Sequence, residues 1–280
     1  WIVGGYWYQM QGTVVENLQQ ILGLAYDFSR YSVENKAKAV FTEGTFSFTD
    51  QWSVTAGLRQ SWDTREITVD KRAIRGGTPS TATANCVVYA EGDVPGVDSA
   101  LPNDACQRTV SEDYSKPTWR ISGNYTPADG ILVYGSVSTG YKAGGFNARG
   151  TTDATLAPFD EETVVTYELG NKSDWTIGSV PVRTSAAIFL QDYNDIQQTK
   201  SVAEGATLVT QTINAAKAEI KGFELDVTVV PTESLVLSAG YSYIDASYKE
   251  NEADKAGVTF DTSDAKFTYI PEQSLTASAT

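Results

Sequence analysis

The stretch "WSVTAGLRQSWD", residues 52–63, sorts its side chains into two sets. Trp52, Val54, Ala56, Leu58 and Trp62 fall on one face, and Ser53, Thr55, Gly57, Arg59 and Asp63 fall on the other. A period of two is the signature of a strand with one apolar and one polar side. The same split recurs along the chain. Trp119, Ile121 and Tyr125 oppose Arg120, Ser122 and Asn124, and Val165, Tyr167 and Leu169 oppose Thr166, Glu168 and Lys172. Phe223, Leu225, Val227 and Val229 oppose Gly222, Glu224, Asp226 and Thr228.

Composition narrows the function. The 280 residues carry 35 acids against 21 bases, a formal charge of -14, which excludes the basic footprint of a general nucleic-acid binder. His is absent, which removes the commonest general base, the commonest zinc ligand and every Ser-His or Cys-His nucleophile pair. The chain opens on Trp1 without a charged or apolar leader, so no signal peptide is expected, and no apolar run is long enough for a membrane helix. A β-barrel strand needs only about 9–11 residues with every second one apolar.

Strands are expected near 1–10, 36–49, 51–72, 113–126, 130–143, 161–175, 181–197, 207–230, 234–248 and 267–280. The connections between them alternate. Residues 11–35, 73–112, 144–160 and 249–266 are long and 198–206 is intermediate, whereas 49–51, 127–130, 176–180 and 231–233 are short. Short turns at one end and long loops at the other describe an antiparallel up-and-down transmembrane β-barrel, because lipid cannot satisfy open backbone groups. Arg59, Asp63, Arg120, Glu168, Lys172, Arg183, Glu224 and Asp226 then face the lumen. A Lys or Arg at the midplane on the lipid side would cost roughly 2–4 kcal/mol. Phe48, Trp52, Tyr125 and Trp175 would form one aromatic girdle, and Trp62, Tyr141, Tyr243 and Tyr248 the other. Residues 11–35 carry a partly helical spacing at Leu18, Ile21, Leu22 and Tyr26, which fits a short helix in an outer loop or a loop packed on the rim.

"VYGSVSTGYKAGGFN", residues 133–147, raises a nucleotide site as a rival reading. Gly135 and Gly140 have the Walker spacing, but Tyr141 precedes Lys142, Ala143 follows it, and no helical pattern comes next. As a strand, Val133 and Val137 face lipid, and Tyr134, Ser136, Ser138 and Gly140 face inward. The stretch resembles the Y-x-S-x-S-x-G-[FY]-K-x-G-G-F-N signature of TonB-dependent outer-membrane receptors. Other segments resemble the family in the same order: "AVFTEGTFSFTDQWSVTAGLRQSWD" (39–63), "FDEETVVTYELGNKSDW" (159–175), "AAIFLQDYNDIQ" (186–197), "NAAKAEIKGFELDVTVVP" (214–231) and "YIPEQSLTAS" (269–278).

The resemblance implies a 22-stranded barrel in the bacterial outer membrane, of which about ten strands are present here as a single barrel portion, 1–280, without plug or TonB box. It implies a receptor that imports a scarce ligand, most often a ferric siderophore, with energy from the TonB complex acting through a plug domain. Outer-membrane lipid and lipopolysaccharide are the surrounding partners. Neither catalysis, a cofactor nor a bound metal is expected. Tyr141, Lys142, Asn147 and Arg149, at a strand-to-loop transition, are candidate contacts for an anionic ligand, or alternatively anchors for the loop. Cys86 and Cys106 share the longest loop of an exported protein and are expected to form a disulfide, worth about 3 kcal/mol in the chain-entropy account.

Two acidic groups have a plainer reading than calcium or glycosidase chemistry. Asp160-Glu161-Glu162 and the pair Asp192 and Asp195 are read as solvated rim. The alternatives to a TonB-dependent receptor are an outer-membrane porin and a soluble β-sandwich or lectin-like binding module.

Overall fold

The computed structural model describes residues 1–19, 25–75, 83–86, 106–148, 156–204, 207–255 and 258–280, and side chains except those of 17–28, 72–105, 149–155, 202–209 and 252–260. The strands are β1 (Ile2–Gln19), β2 (Ala25–Ser47), β3 (Trp52–Arg75), β4 (Thr83–Cys86), β5 (Gln107–Ala128), β6 (Ile131–Lys142), β7 (Glu162–Ile177), β8 (Val180–Glu204), β9 (Thr207–Thr232), β10 (Leu235–Lys255), β11 (Val258–Asp261) and β12 (Gln273–Ala279). The wall runs β1-β2-β3-β5-β6-β7-β8-β9-β10-β12, every neighbour antiparallel. β4 extends the outer end of β3, and β11 the outer end of β10.

The short connections lie at one end. Asp129-Gly130, Gly178-Ser179 and Glu233-Ser234 are two-residue hairpin loops. Gly130 (φ 76) and Gly178 (φ 66) supply the left-handed backbone such turns require. In the β2–β3 turn, the Thr49 hydroxyl accepts the backbone N–H groups of Gln51 (3.2 Å) and Trp52 (3.0 Å).

The band next to these turns is apolar outside. Trp52 is 52% exposed and Leu58 55%, in line with Val40, Ile121, Leu169 and Ile188 on neighbouring strands. An apolar surface this continuous belongs in lipid, not water. Eleven residues, Trp52 to Trp62, cover this band on β3, close to the span a tilted strand needs.

Several strands run much further than the lipid demands. β9 has 26 residues, roughly 85 Å at the usual rise. Three connections expected as loops, 11–35, 198–206 and 249–266, are therefore largely strand where they are described, and a fourth carries strand segments. β1 and β2 pair out to Gln19↔Tyr26, so the described part of 11–35 is a hairpin extension; Ile21 and Leu22 of the expected helical spacing lie outside the described residues. β8 and β9 pair out to Glu204↔Thr207, β10 continues to Lys255, and the 73–112 connection contains β4 and the first six residues of β5. The final strand is shorter than expected, Gln273–Ala279 instead of 267–280.

Above the lipid the polarity of the faces inverts. On β3, Trp52 to Trp62 point their large apolar groups outward, but beyond Trp62 the outward set is Thr64, Glu66 and Thr68, and the inward set becomes Ile67 and Val69. These pack with Tyr31, Val33 and Val110 and with Phe146, Ala148 and Leu156 of the connection after β6. Val69 is 0% and Leu156 1% exposed. Outside the bilayer water is the solvent for the outer surface, so the ordinary rule of an apolar interior returns.

Candidate functional site

Register carries side-chain direction across the sheet. Arg59 lies opposite Phe41 and Thr118, Arg120 opposite Gly57 and Ser138, Glu168 opposite Ser136 and Phe189, and Lys172 opposite Leu132 and Ser185. Arg183 lies opposite Asp174 and Thr228, Glu224 opposite Ala187 and Ser242, and Asp226 opposite Ser185 and Gly240. Directly opposed residues share a face. These seven side chains and Asp63 therefore stand on the inward face, opposite the apolar band.

The inward face is unevenly charged. Arg59 donates to the Ser61 hydroxyl (3.0 Å), and its guanidinium lies over the Tyr6 ring (5.6 Å) and the Phe41 ring (6.0 Å). Further round, Glu168 accepts the Tyr134 hydroxyl (2.7 Å). Among the described residues Arg120, Lys172, Glu224 and Asp226 form no ion pair. Arg183 pairs with Asp174 (2.6 Å) at the short-turn end, where both are exposed.

A seam opens in the wall between β5 and β6. Their register ends at Arg120↔Ser138, while β5 continues beside β3 to Gln107 and β6 continues beside β7 to Lys142. The cause is local. Trp119 directs its N–H toward β6, where the Thr139 hydroxyl accepts it (2.9 Å). Pro117, two residues on, turns its nitrogen to the same side and has no hydrogen to give.

Side chains close this seam from within. Strict alternation from Val137 would send Tyr141 outward, yet its hydroxyl donates to Asp63 Oδ2 (2.6 Å) across β5. Arg65 takes the other carboxylate oxygen (3.0 Å). Lys116 pairs with Glu161 (2.9 Å), and the Tyr114 hydroxyl donates to the Phe159 carbonyl (2.9 Å). Tyr114 lies beyond the lipid band. Burial, helped by the Glu112, Asp160 and Glu161 carboxylates, pushes its phenol up to about 12.

The connection after β6 is pinned to the inner wall. Gly145 and Phe159 pair backbone to backbone. The Gln197 amide donates to the carbonyls of Ala143 (3.0 Å) and Asp160 (3.1 Å). The Asn147 amide donates to the Thr212 carbonyl (3.0 Å) and accepts the Thr212 N–H (2.6 Å). Asn214 donates to the carbonyls of Asp160 (2.9 Å) and Asp195 (2.8 Å). Beneath this connection lies a cavity of about 770 Å³, lined among others by Tyr6, Tyr8, Arg59, Asp63, Arg65 and Tyr141.

The profile of the TonB dependent receptor-like β-barrel family matches residues 1–280. The chain belongs to the TonB-dependent receptors. It is accordingly a protein of the Gram-negative outer membrane. The receptor is 31% identical over 107 residues to the pesticin receptor of Yersinia pestis, a match covering 38% of this chain and 15% of that one. It is 25% identical over 154 residues to the probable TonB-dependent siderophore receptor PiuA of Acinetobacter baumannii, covering 53% and 20%. Its fold is that of the ferric yersiniabactin uptake receptor FyuA from Yersinia pestis, at TM-score 0.66 and 18% identity, with 99% of this chain on 36% of the other. The receptor chain thus spans about a third of the length of that solved relative.

Within the receptor wall, the four candidate ligand residues have different surroundings. Tyr141 lines the cavity and is tied to Asp63. Lys142 is exposed and reaches Glu162 at 3.4 Å. Asn147 has both ends of its amide engaged by β9, and Arg149 lies outside the described residues. Cys106 is buried and is not a free thiol; Cys86 ends β4, and its side chain lies outside the described ones. The acidic groups have protein partners. Glu161 and Glu162 hold Lys116 and Lys142, and Asp192 holds Lys249 (3.0 Å) on a strand that continues past it. Sequence reading passed over Tyr6, Tyr8, Arg65, Tyr114 and Gln197. The signal that marks three of them is the switch of apolar residues to the other parity beyond Trp62 on β3, which announces that the inward face of neighbouring strands has become a protein interior.

Proposed function

We propose that the receptor binds a ferric siderophore at the cavity under the pinned connection and passes it inward with energy from the TonB complex, delivered through a plug domain in the lumen. The observation that carries this reading is the cavity of about 770 Å³ whose wall sets Tyr6, Tyr8 and Tyr141 beside Arg59 and Arg65. Phenol rings offer flat apolar contact, and guanidinium groups take anionic chelate oxygens. Tyr141, Lys142 and Arg149 are the proposed contacts. Asn147 is proposed as the anchor that fixes their loop. The resemblance to relatives named for siderophore uptake supports the ligand class.

The inward carboxylates Glu168, Glu224 and Asp226 suit a basic surface seated in the lumen, the place of a plug. A disulfide between Cys86 and Cys106 would hold the outer extension of β3 to the start of β5. The site moves a ligand and performs no bond chemistry.

The test uses the intact receptor. Ferric siderophores of several chelate classes, haem, cobalamin and a nickel chelate are titrated while tryptophan fluorescence is followed. A ferric siderophore is expected to bind, and Arg59→Ala to weaken it about tenfold, as loss of one charge-assisted contact does. Absence of binding by every ferric siderophore overturns the ligand class. Uptake that survives deletion of TonB overturns the energised mechanism and favours a passive porin.

A further inference from the structure

Inward rows stack along β3 to build the inner cavity. Ser61 stands level with Tyr6 of β1, and Asp63 level with Tyr8, with the small side chains Ala39 and Ala37 between them on β2. Arg59 lies one row deeper and Arg65 one row further out. Both guanidinium groups lean toward the middle rows, Arg59 donating to the Ser61 hydroxyl (3.0 Å) and Arg65 to the Asp63 carboxylate (3.0 Å). The cavity is thus a bowl with small residues at its floor, Tyr6 and Tyr8 on one side, Tyr141 on the other, and a guanidinium at each end.

The aromatic side of the bowl is ordered. The Tyr6 and Tyr8 rings are nearly parallel, 11° apart in plane with centroids 6.5 Å apart. Among the described residues neither hydroxyl has a protein partner, whereas that of Tyr141 is engaged by Asp63 (2.6 Å). Parallel ring faces are a surface on which a further planar ring stacks. The Arg59 guanidinium lies over the Tyr6 ring (5.6 Å), so flat aromatic contact and positive charge meet at one place.

Charge supplies the second observation. Arg59, Arg65 and Lys142 line the cavity against one carboxylate, Asp63, whose two oxygens are taken by Tyr141 and Arg65. Lys142 is held by Glu162 (3.4 Å). Glu112 stands opposite Arg65 on β5, and Glu43 shares the next deeper row with Arg120, but neither carboxylate lines the cavity or forms an ion pair among the described residues. Arg59 likewise has no carboxylate partner among the described residues. An uncharged ligand seated over Arg59 removes its water and returns no counter-charge, whereas an anionic ligand returns both charge and acceptors.

We infer that the chelate taken by this cavity is aromatic and multiply anionic, its metal held by catecholate or phenolate oxygens, and that Arg59 selects it over uncharged hydroxamate chelates. Its rings stack with Tyr6 and Tyr8, and its negative oxygens face Arg59 and Arg65. This rests on the siderophore reading of the cavity and adds the chemical class of the ligand and the residue that sets it.

The experiment titrates the intact receptor in a calorimeter with three probes: a ferric tris-catecholate, an uncharged ferric tris-hydroxamate, and ferric citrate, which is anionic without rings. The tris-catecholate is expected to bind about a hundredfold tighter than either of the others. Arg59→Ala is expected to lower its affinity about tenfold or more, Arg59→Lys to lower it less, and Tyr8→Leu to weaken the tris-catecholate more than citrate. Equal or tighter binding of the tris-hydroxamate overturns the class and leaves the siderophore reading standing. Equal binding of citrate overturns the role of the rings. Unchanged tris-catecholate affinity in Arg59→Ala overturns the selecting role of Arg59. Binding of none of the three overturns this inference together with the siderophore reading. Assembly is checked by the heat-dependent gel shift of folded barrels, and if Arg59→Ala fails it, Arg59→Gln in the same titrations decides the matter.

Discussion

The Tyr141 hydroxyl donates a 2.6 Å hydrogen bond to the Asp63 carboxylate, joining β6 to β3 across the intervening β5. The two residues are 78 positions apart, and the bond bridges the seam that Pro117 and Thr139 open in the wall. It also orients Asp63 for Arg65, so one carboxylate serves a phenol and a guanidinium at the floor of the pinned connection.

Tyr141→Phe deletes that bond and leaves Asp63 with Arg65 alone. The assembled receptor is expected to lose about 1–3 kcal/mol of stability, as for a hydrogen bond to a charged group. Asp63→Asn should cost more, because Arg65 is then left without its counter-charge. The midpoint of thermal unfolding, with the double variant to isolate coupling, is the check, and additive losses in the double variant would show that the two side chains do not interact.

Thr139→Val keeps the shape of the side chain and removes the acceptor of the Trp119 N–H. On that side of β5 the ladder with β6 has already ended, at Arg120↔Ser138. The orphaned donor should cost about 1–3 kcal/mol. Hydrogen exchange at the Trp119 amide is expected to accelerate, and unchanged exchange would place the ladder beyond Ser138.

Gly170 lies directly beneath the Tyr134 ring, opposite it in register, and a Cβ there would collide with the ring. Gly170→Ala is expected to displace Tyr134, break its bond to Glu168 and destabilise the barrel by about 1–3 kcal/mol. Adding Tyr134→Ala should restore much of the loss, because the obstacle is gone. Failure of that rescue would point to a backbone requirement at Gly170 instead.

Leu156 is the most deeply buried of the side chains, with Phe146 and Ala148, that tie the pinned connection into the apolar cluster above the lipid. Leu156→Ala should cost about 2–5 kcal/mol locally. Limited proteolysis of folded receptor in membranes is expected to cut the 143–161 segment faster while the barrel itself stays resistant.

Two groups outside the lipid respond to pH in opposite directions. Tyr114 has its phenol pushed up to about 12, so its contribution is present below the ordinary value of 10.0 and disappears as pH rises through about 12. Glu34 is held down at about 2 by hydrogen bonds from Lys36, Gln11 and Gln9, so its contribution is present above 4.5 and disappears as pH falls through about 2. The phenolate absorbance lost in Tyr114→Phe should titrate well above that of exposed tyrosines, and the Glu34 carboxyl, followed by carbonyl-resolved NMR, should titrate well below an ordinary glutamate.

Much of the wall was legible in the residues. Wherever lipid touches the sheet, one face must be apolar, and the strict period of two at Trp52 to Trp62 or Phe223 to Val229 follows from that demand. Pairing of directly opposed residues then carries one face across the sheet, which is why Arg59, Arg120, Glu168, Lys172, Arg183, Glu224 and Asp226 all meet on the inward side. The turns were legible because Asp129-Gly130 and Gly178-Ser179 offer the backbone a tight hairpin needs.

What lies above the lipid was decided by tertiary structure. There the outer face meets water and the inner face meets protein, so the lipid-zone alternation ends at Trp62 and resumes inverted at Ile67 and Val69, although the strands continue unbroken. For that reason 11–35 reads as loop and pairs as strand. The inward turn of Tyr141 was equally hidden, since it depends on where the β5–β6 ladder stops and on an aspartate 78 residues away. The sequence by itself determined which side of each spanning strand faces lipid, because the solvent imposes that residue by residue; only the folded chain decided which side chains close the seam and hold the loop, because those contacts exist only once distant strands stand side by side.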